Sequence, residues 1–140
     1  MAEVFAGAVL GYGLSLLMVW PVSLGLVRLR GRVPALARAI APNLGPLMLT
    51  VPVSLLLFLW GPLVGMVAGM LYRGALDNLP GAGLGSPNWA FTVGVLALGA
   101  ASLALAYYVW SRLWWWLLAT VAVWVGALGW GLPYLAGAAP

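Results

Sequence analysis

Arg28-Leu29-Arg30-Gly31-Arg32-Val33-Pro34-Ala35-Leu36-Ala37-Arg38 carries four of the chain's six positive charges. Apolar sequence without a charge flanks it on both sides, from Val4 to Val27 before it and from Leu44 to Tyr72 after it. The hydrocarbon core of a bilayer is about 30 Å thick, and a helix needs about 20 apolar residues to cross it. Each flank is long enough. The arginine stretch is therefore expected to be a loop at a membrane surface, and its charge sets the direction in which the chain is threaded.

Composition supports the same reading. The 140 residues are 65% hydrophobic and 6% charged, with a mean hydropathy of +1.10. Soluble proteins carry about 25% charged residues, and Glu3, Asp77 and six arginines cannot solvate a globule of this size. Most of the surface must meet lipid or other apolar protein. The basic pI of about 10.1 comes from one membrane-flanking loop and not from a broad basic face, so it gives no reason to expect nucleic acid as a partner. His and Cys are absent, and all six cationic side chains are Arg. Disulfides, thiolate metal sites, histidine-ligated haem and a lysine Schiff base are excluded. No cofactor is expected. Arg without Lys, with much Gly, Ala, Pro and Trp, fits a GC-rich bacterial genome. The first apolar run has its charges after it and not before it, so it reads as a retained span and not as a signal peptide.

The expected fold is an all-α integral membrane protein. Four transmembrane helices form a compact up-down bundle, in one membrane domain over residues 1–140. The spans are placed at 4–27, 44–72, 89–110 and 113–135, joined by loops 28–43 and 73–88 and a tight turn at Ser111-Arg112. Within the first loop, Val33 to Ile40 suits a short helix along the headgroups or an ordered connection, with Pro34 at the helix start. Pro46 belongs at or near the start of the second span, which Pro52 and Pro62 interrupt. Pro21 bends the last turns of the first span, where Ser23 or neighbouring backbone is expected to satisfy the freed carbonyl. Arg73 and Asp77 would be able to pair if the helix continues past Tyr72. Arg28, Arg30, Arg32, Arg38 and Arg112 fall on one side of the membrane and Arg73 alone on the other. The excess of arginine inside places the five in the cytoplasm and both termini outside.

Two stripes of small residues recur at a spacing of four: Gly7, Gly11 and Ser15 in the first span, and Gly61, Gly65 and Gly69 in the second. Small faces let helix backbones approach closely. They suit ordinary helix packing or, for the second stripe, a homodimer seam. Trp89, Trp110, Trp114, Trp115 and Trp116 belong at the membrane–water interfaces, where indole rings are favoured. Trp124 lies near mid-span and is expected to face protein.

No catalytic constellation is legible. General acid–base chemistry calls for a positioned His, Glu or Asp, and Glu3 and Asp77 both lie at the membrane edge. The serines have no base beside them. No span holds the buried ionisable residue of a coupled transporter. The expectation is a non-catalytic accessory subunit of a larger, energy-transducing membrane complex, respiratory or photosynthetic, in the bacterial inner membrane. Its partners would be other membrane subunits and phospholipids, with a quinone nearby. The alternative is a small homo-oligomeric channel or transporter for a neutral solute.

Overall fold

The computed structural model describes residues 1–109 and 114–138, and among these it is helical without strands. Helix α1 spans Ala2–Arg30, α2 Pro34–Ala39, α3 Pro46–Asn78, α4 Trp89–Val109, α5 Trp114–Gly126 and α6 Leu132–Ala138, with a π-helical segment, Ala127–Gly131, between α5 and α6. Four helical stretches are long and apolar enough to cross a membrane: Ala2–Arg30, Pro46–Asn78, Trp89–Tyr108 and Leu117–Gly137. That is the content of a multi-pass membrane protein.

Local chemistry explains the boundaries. Helix α1 continues past Val27 to Arg30, its last turn carrying Arg28 and Arg30 where the helix dipole favours cations. Pro34 and Pro46 each open a helix after an extended residue, Val33 and Gly45, at the position where a missing N–H costs nothing. Pro21, Pro52 and Pro62 stay inside continuous helix. Buried Ser23 donates to the Val19 carbonyl at 2.7 Å. The carbonyl that Pro21 frees, four residues back, is that of Leu17, so Ser23 does not satisfy it. Helix α3 runs on to Asn78, beyond the expected end at Tyr72, and Asn78 Nδ2 bonds the Gly74 carbonyl at 2.9 Å. Asn88 caps α4, its Oδ1 accepting from the Phe91 N–H at 2.9 Å.

Between α3 and α4 the chain makes one tight turn. Gly83 and Ser86 exchange two backbone hydrogen bonds, of 3.1 and 2.8 Å, across Leu84 and Gly85, whose φ angles are +50° and +71°. Two successive positive φ values make a type I′ turn, which favours Asn-Gly. Leu84 is a non-glycine residue in the left-handed region and holds about 1–2 kcal/mol of strain there. Leu84→Asn should raise stability by about 1 kcal/mol, because Asn tolerates this conformation; a higher thermal midpoint in detergent would check it.

The helices pair as two hairpins. Gly7 lies against Gly65, Gly11 against Gly61, and Ser15 Oγ is 2.6 Å from the Leu57 carbonyl, so α1 and α3 run antiparallel along a common seam. On the other side, α4 packs on the fourth rod, with Gly99 against Val125 and Thr92 against Gly129. The hairpins meet mainly at one end. There Ala6, Ala68, Tyr72, Ala75, Phe91 and Leu132 form the buried core, with Tyr72 and Phe91 edge to face at 5.1 Å. Helix α1 touches the fourth rod chiefly through the π segment and α6, and α3 barely touches α4. Toward the other end the two hairpins part.

Candidate functional site

The parting leaves an apolar cleft. One part, of about 410 Å³, lies between α3 and the α4–α5 pair, with Val64, Ala68, Phe91, Val95 and Trp124 among its walls. A second, of about 520 Å³, lies between Leu17, Met18 and Pro21 of α1 and Trp115, Ala119 and Val123 of α5. Thr120 borders both. Each volume falls in the range of ligand pockets, roughly 300–1,000 Å³. Ser102, on the wall, donates to its own helix at Leu98 (2.8 Å), so its hydroxyl proton is already committed. Trp124 is half-buried on this wall. Hydrocarbon fits such walls; the cleft offers little to a polar solute.

The closed end of the cleft is held by a buried polar cluster. Pro133 has no N–H, so it cannot close the α-helical bond to the Gly129 carbonyl four residues back. The helix widens to a π turn at this point, and Thr92 Oγ1, reaching across from α4, lies 2.7 Å from that carbonyl and 3.2 Å from the Asn88 carbonyl. Thr92 is 0% exposed and Asn88 1%. Ser86 Oγ lies 3.3 Å from both the N–H and the carbonyl of Asn88, and Asn88 Nδ2 is buried without a partner. Outside the cluster, Trp130 Nε1 donates to the Leu84 carbonyl at 2.9 Å and the Tyr134 hydroxyl donates to the Gly85 carbonyl. The turn between the hairpins is thus tied to the fourth rod. Ser and Thr usually bond back to their own helix, as Thr50, Ser54 and Ser102 do. Nothing in the one-dimensional pattern set Thr92 apart; the proline four residues beyond Gly129 was the available signal.

The sequence-derived residues fall as follows. Gly7, Gly11, Ser15, Gly61, Gly65 and Gly69 are all buried and share the seam between α1 and α3. Both stripes are occupied by each other within one chain, which leaves none of these residues free for a seam between copies. Arg28, Arg32 and Arg38 are exposed. Arg30 is half-buried and turned back on its own loop, its Nη1 bonding the Ala41 and Leu44 carbonyls at 2.8 and 3.0 Å. Trp89 is exposed over Gly83, and Trp114 and Trp115 are exposed with ring centroids 4.0 Å apart. Trp110, Arg112 and the side chain of Trp116 lie outside the described residues. Tyr12 is half-exposed and packs on Phe58 at 5.3 Å. Glu3 pairs with the N-terminal ammonium at 3.1 Å. Arg73 and Asp77 now share one helix but make no ion pair among the described residues. No protein-family model, curated protein or solved structure matches the chain.

Proposed function

We propose that this chain is a non-catalytic, multi-pass accessory subunit of a larger bacterial inner-membrane complex, an energy-transducing one in which it braces neighbouring helices and shapes a lipid- or quinone-accessible cleft. The observation that supports this best is the apolar cleft between the two hairpins. A solute path would call for polar groups along its length, whereas hydrocarbon tails or a neighbouring helix suit these walls. The outer faces add to the argument: Leu55, Leu59, Leu63, Val67 and Met70 form a long exposed apolar surface on α3. In this reading the four spans run up and down as a bundle. The loop bearing Arg28, Arg30, Arg32 and Arg38 is cytoplasmic, and both termini face the periplasm.

Two measurements test the proposal. The chain has no cysteine, so Gly31→Cys introduces a unique thiol in the arginine loop. A membrane-impermeant maleimide should label it only after the cells are opened; labelling in intact cells would reverse the threading. Purification in mild detergent followed by native mass measurement should recover the chain with larger, cofactor-bearing membrane proteins. A stable homo-oligomer recovered alone would sink the subunit role and favour the channel.

A further inference from the structure

We infer that the cleft holds an acyl chain of an anionic phospholipid, whose phosphate is bound at Arg28. The inference needs the chain to lie in a bilayer but does not depend on the subunit role.

At its open end the cleft runs between α1 and α5. Leu17, Met18 and Pro21 form its α1 wall. At 100° per residue, Leu17, Pro21, Leu24 and Arg28 follow one another along the same helix face. Arg28 stands seven residues past Pro21, about 10 Å along the axis. That is the direction in which the hairpins diverge, away from the core around Leu132. Arg28 therefore stands on the helix face that walls the cleft, about two turns beyond Pro21.

The other basic groups of the loop are placed differently. Arg30 is engaged with the Ala41 and Leu44 carbonyls. Arg32 lies beyond Gly31, and Arg38 lies in α2, both outside α1. Arg28 makes no hydrogen bond or ion pair among the described residues, and it is exposed. A headgroup phosphate supplies the missing counter-charge at the level where a phospholipid carries it. Exposed Trp115, on the α5 wall of the same mouth, suits the glycerol and ester layer, where indole is favoured. Below it the part between α1 and α5 is walled by Ala119 and Val123, and the neighbouring part, which shares Thr120 with it, by Trp124 and Phe91, the latter packed edge to face on Tyr72. Basic pockets between transmembrane helices are recurrent sites for anionic headgroups. Here charge and apolar groove are joined on a single helix face.

The test compares lipids retained by the detergent-purified protein after equilibration with equal amounts of phosphatidylglycerol and phosphatidylcholine, read by native mass spectrometry. The wild type should retain phosphatidylglycerol in preference. Arg28→Gln should lower that preference about fivefold, the factor equivalent to about 1 kcal/mol per basic residue near an anionic surface. Arg32→Gln, with the same change in net charge, should leave it unaltered. Ala119→Phe, which fills the cleft below the mouth, should reduce retention of both lipids. Equal retention of the two lipids by the wild type, or the same preference in Arg28→Gln, would overturn the assignment. So would displacement of phosphatidylglycerol by inorganic phosphate, which would mark an anion site without a tail, or retention of an isoprenoid quinone in its place. Arg28 is exposed and makes no bond among the described residues, so its replacement tests headgroup binding with the fold left in place. If Ala119→Phe unfolds, brominated phosphatidylglycerol tests the tail in the wild type. Stronger quenching of tryptophan fluorescence by bromines along the acyl chain than by the phosphatidylcholine equivalent is expected, and equal quenching would overturn the tail placement.

Discussion

Gly65→Ala should destabilise the protein by about 3 kcal/mol, the upper end of the usual overpacking cost. A single methyl group carries this effect because there is backbone, and not side chain, on the other side of the seam. A Cβ at position 65 would fall on the carbonyl group of Gly7 and stand 3.2 Å from the Cα of Gly11. Side chains can rotate away from an added methyl; a helix backbone can only shift as a whole. Relief would come by spreading α1 from α3, which would also loosen Gly61 from Ser15 and Gly69 from the first turn of α1. The matched control is Gly74→Ala on the same helix, where an added Cβ meets nothing within 4 Å. That change should stabilise by about 0.5–1 kcal/mol, because Ala is the better helix former. Thermal unfolding of both variants in one detergent checks the pair. Equal midpoints would mean that the close approach of α1 and α3 is not what holds the first hairpin together.

Leu132→Ala should cost about 2–5 kcal/mol, as large-to-small changes at buried sites do. Leu132 is 0% exposed and sits among Ala6, Ala68, Tyr72, Ala75 and Phe91, where the two hairpins are joined. Inside a bilayer this loss is mostly one of packing, since lipid tails are as apolar as Leu. The void would open where the hairpins touch and nowhere along either seam. Unfolding in two steps, with the α4–α6 hairpin released before the α1–α3 hairpin, is therefore the expected signature, where a single step is expected of the wild type. Leu105→Ala, on the exposed face of α4, should fall within about 0.5 kcal/mol of wild type. If Leu132→Ala were as mild as Leu105→Ala, the core at this end would not be what fastens the hairpins.

Much of this architecture was legible in the sequence, for reasons that can be named. Charge is too costly in hydrocarbon to be misplaced, so the arginine-rich loop and the charge-free runs around it marked the spans. Proline marked helix starts at Pro34 and Pro46, because its missing N–H and fixed φ suit the first turn. Periodicity put Gly7, Gly11 and Ser15 on one face and Gly61, Gly65 and Gly69 on another. The ends of helices were less legible. Arg28 to Arg30 and Arg73 to Asn78 are polar enough to leave the membrane, but helical hydrogen bonding does not stop where hydrocarbon does.

What the sequence determined by itself was the number of apolar helices, the loop that carries the charge, and which small residues share a face. Only the tertiary structure decided which faces meet: that the two glycine stripes pack on each other within one chain, that Thr92 reaches the Gly129 carbonyl, and that the hairpins join at one end and part at the other. The reason is physical. In a soluble protein the contrast between apolar core and polar surface tells buried faces from exposed ones. Here exposed Leu55 and Leu59 are as apolar as buried Leu132. Hydrophobicity then marks the membrane but not the interface, and complementarity of shape, visible only in three dimensions, does the rest.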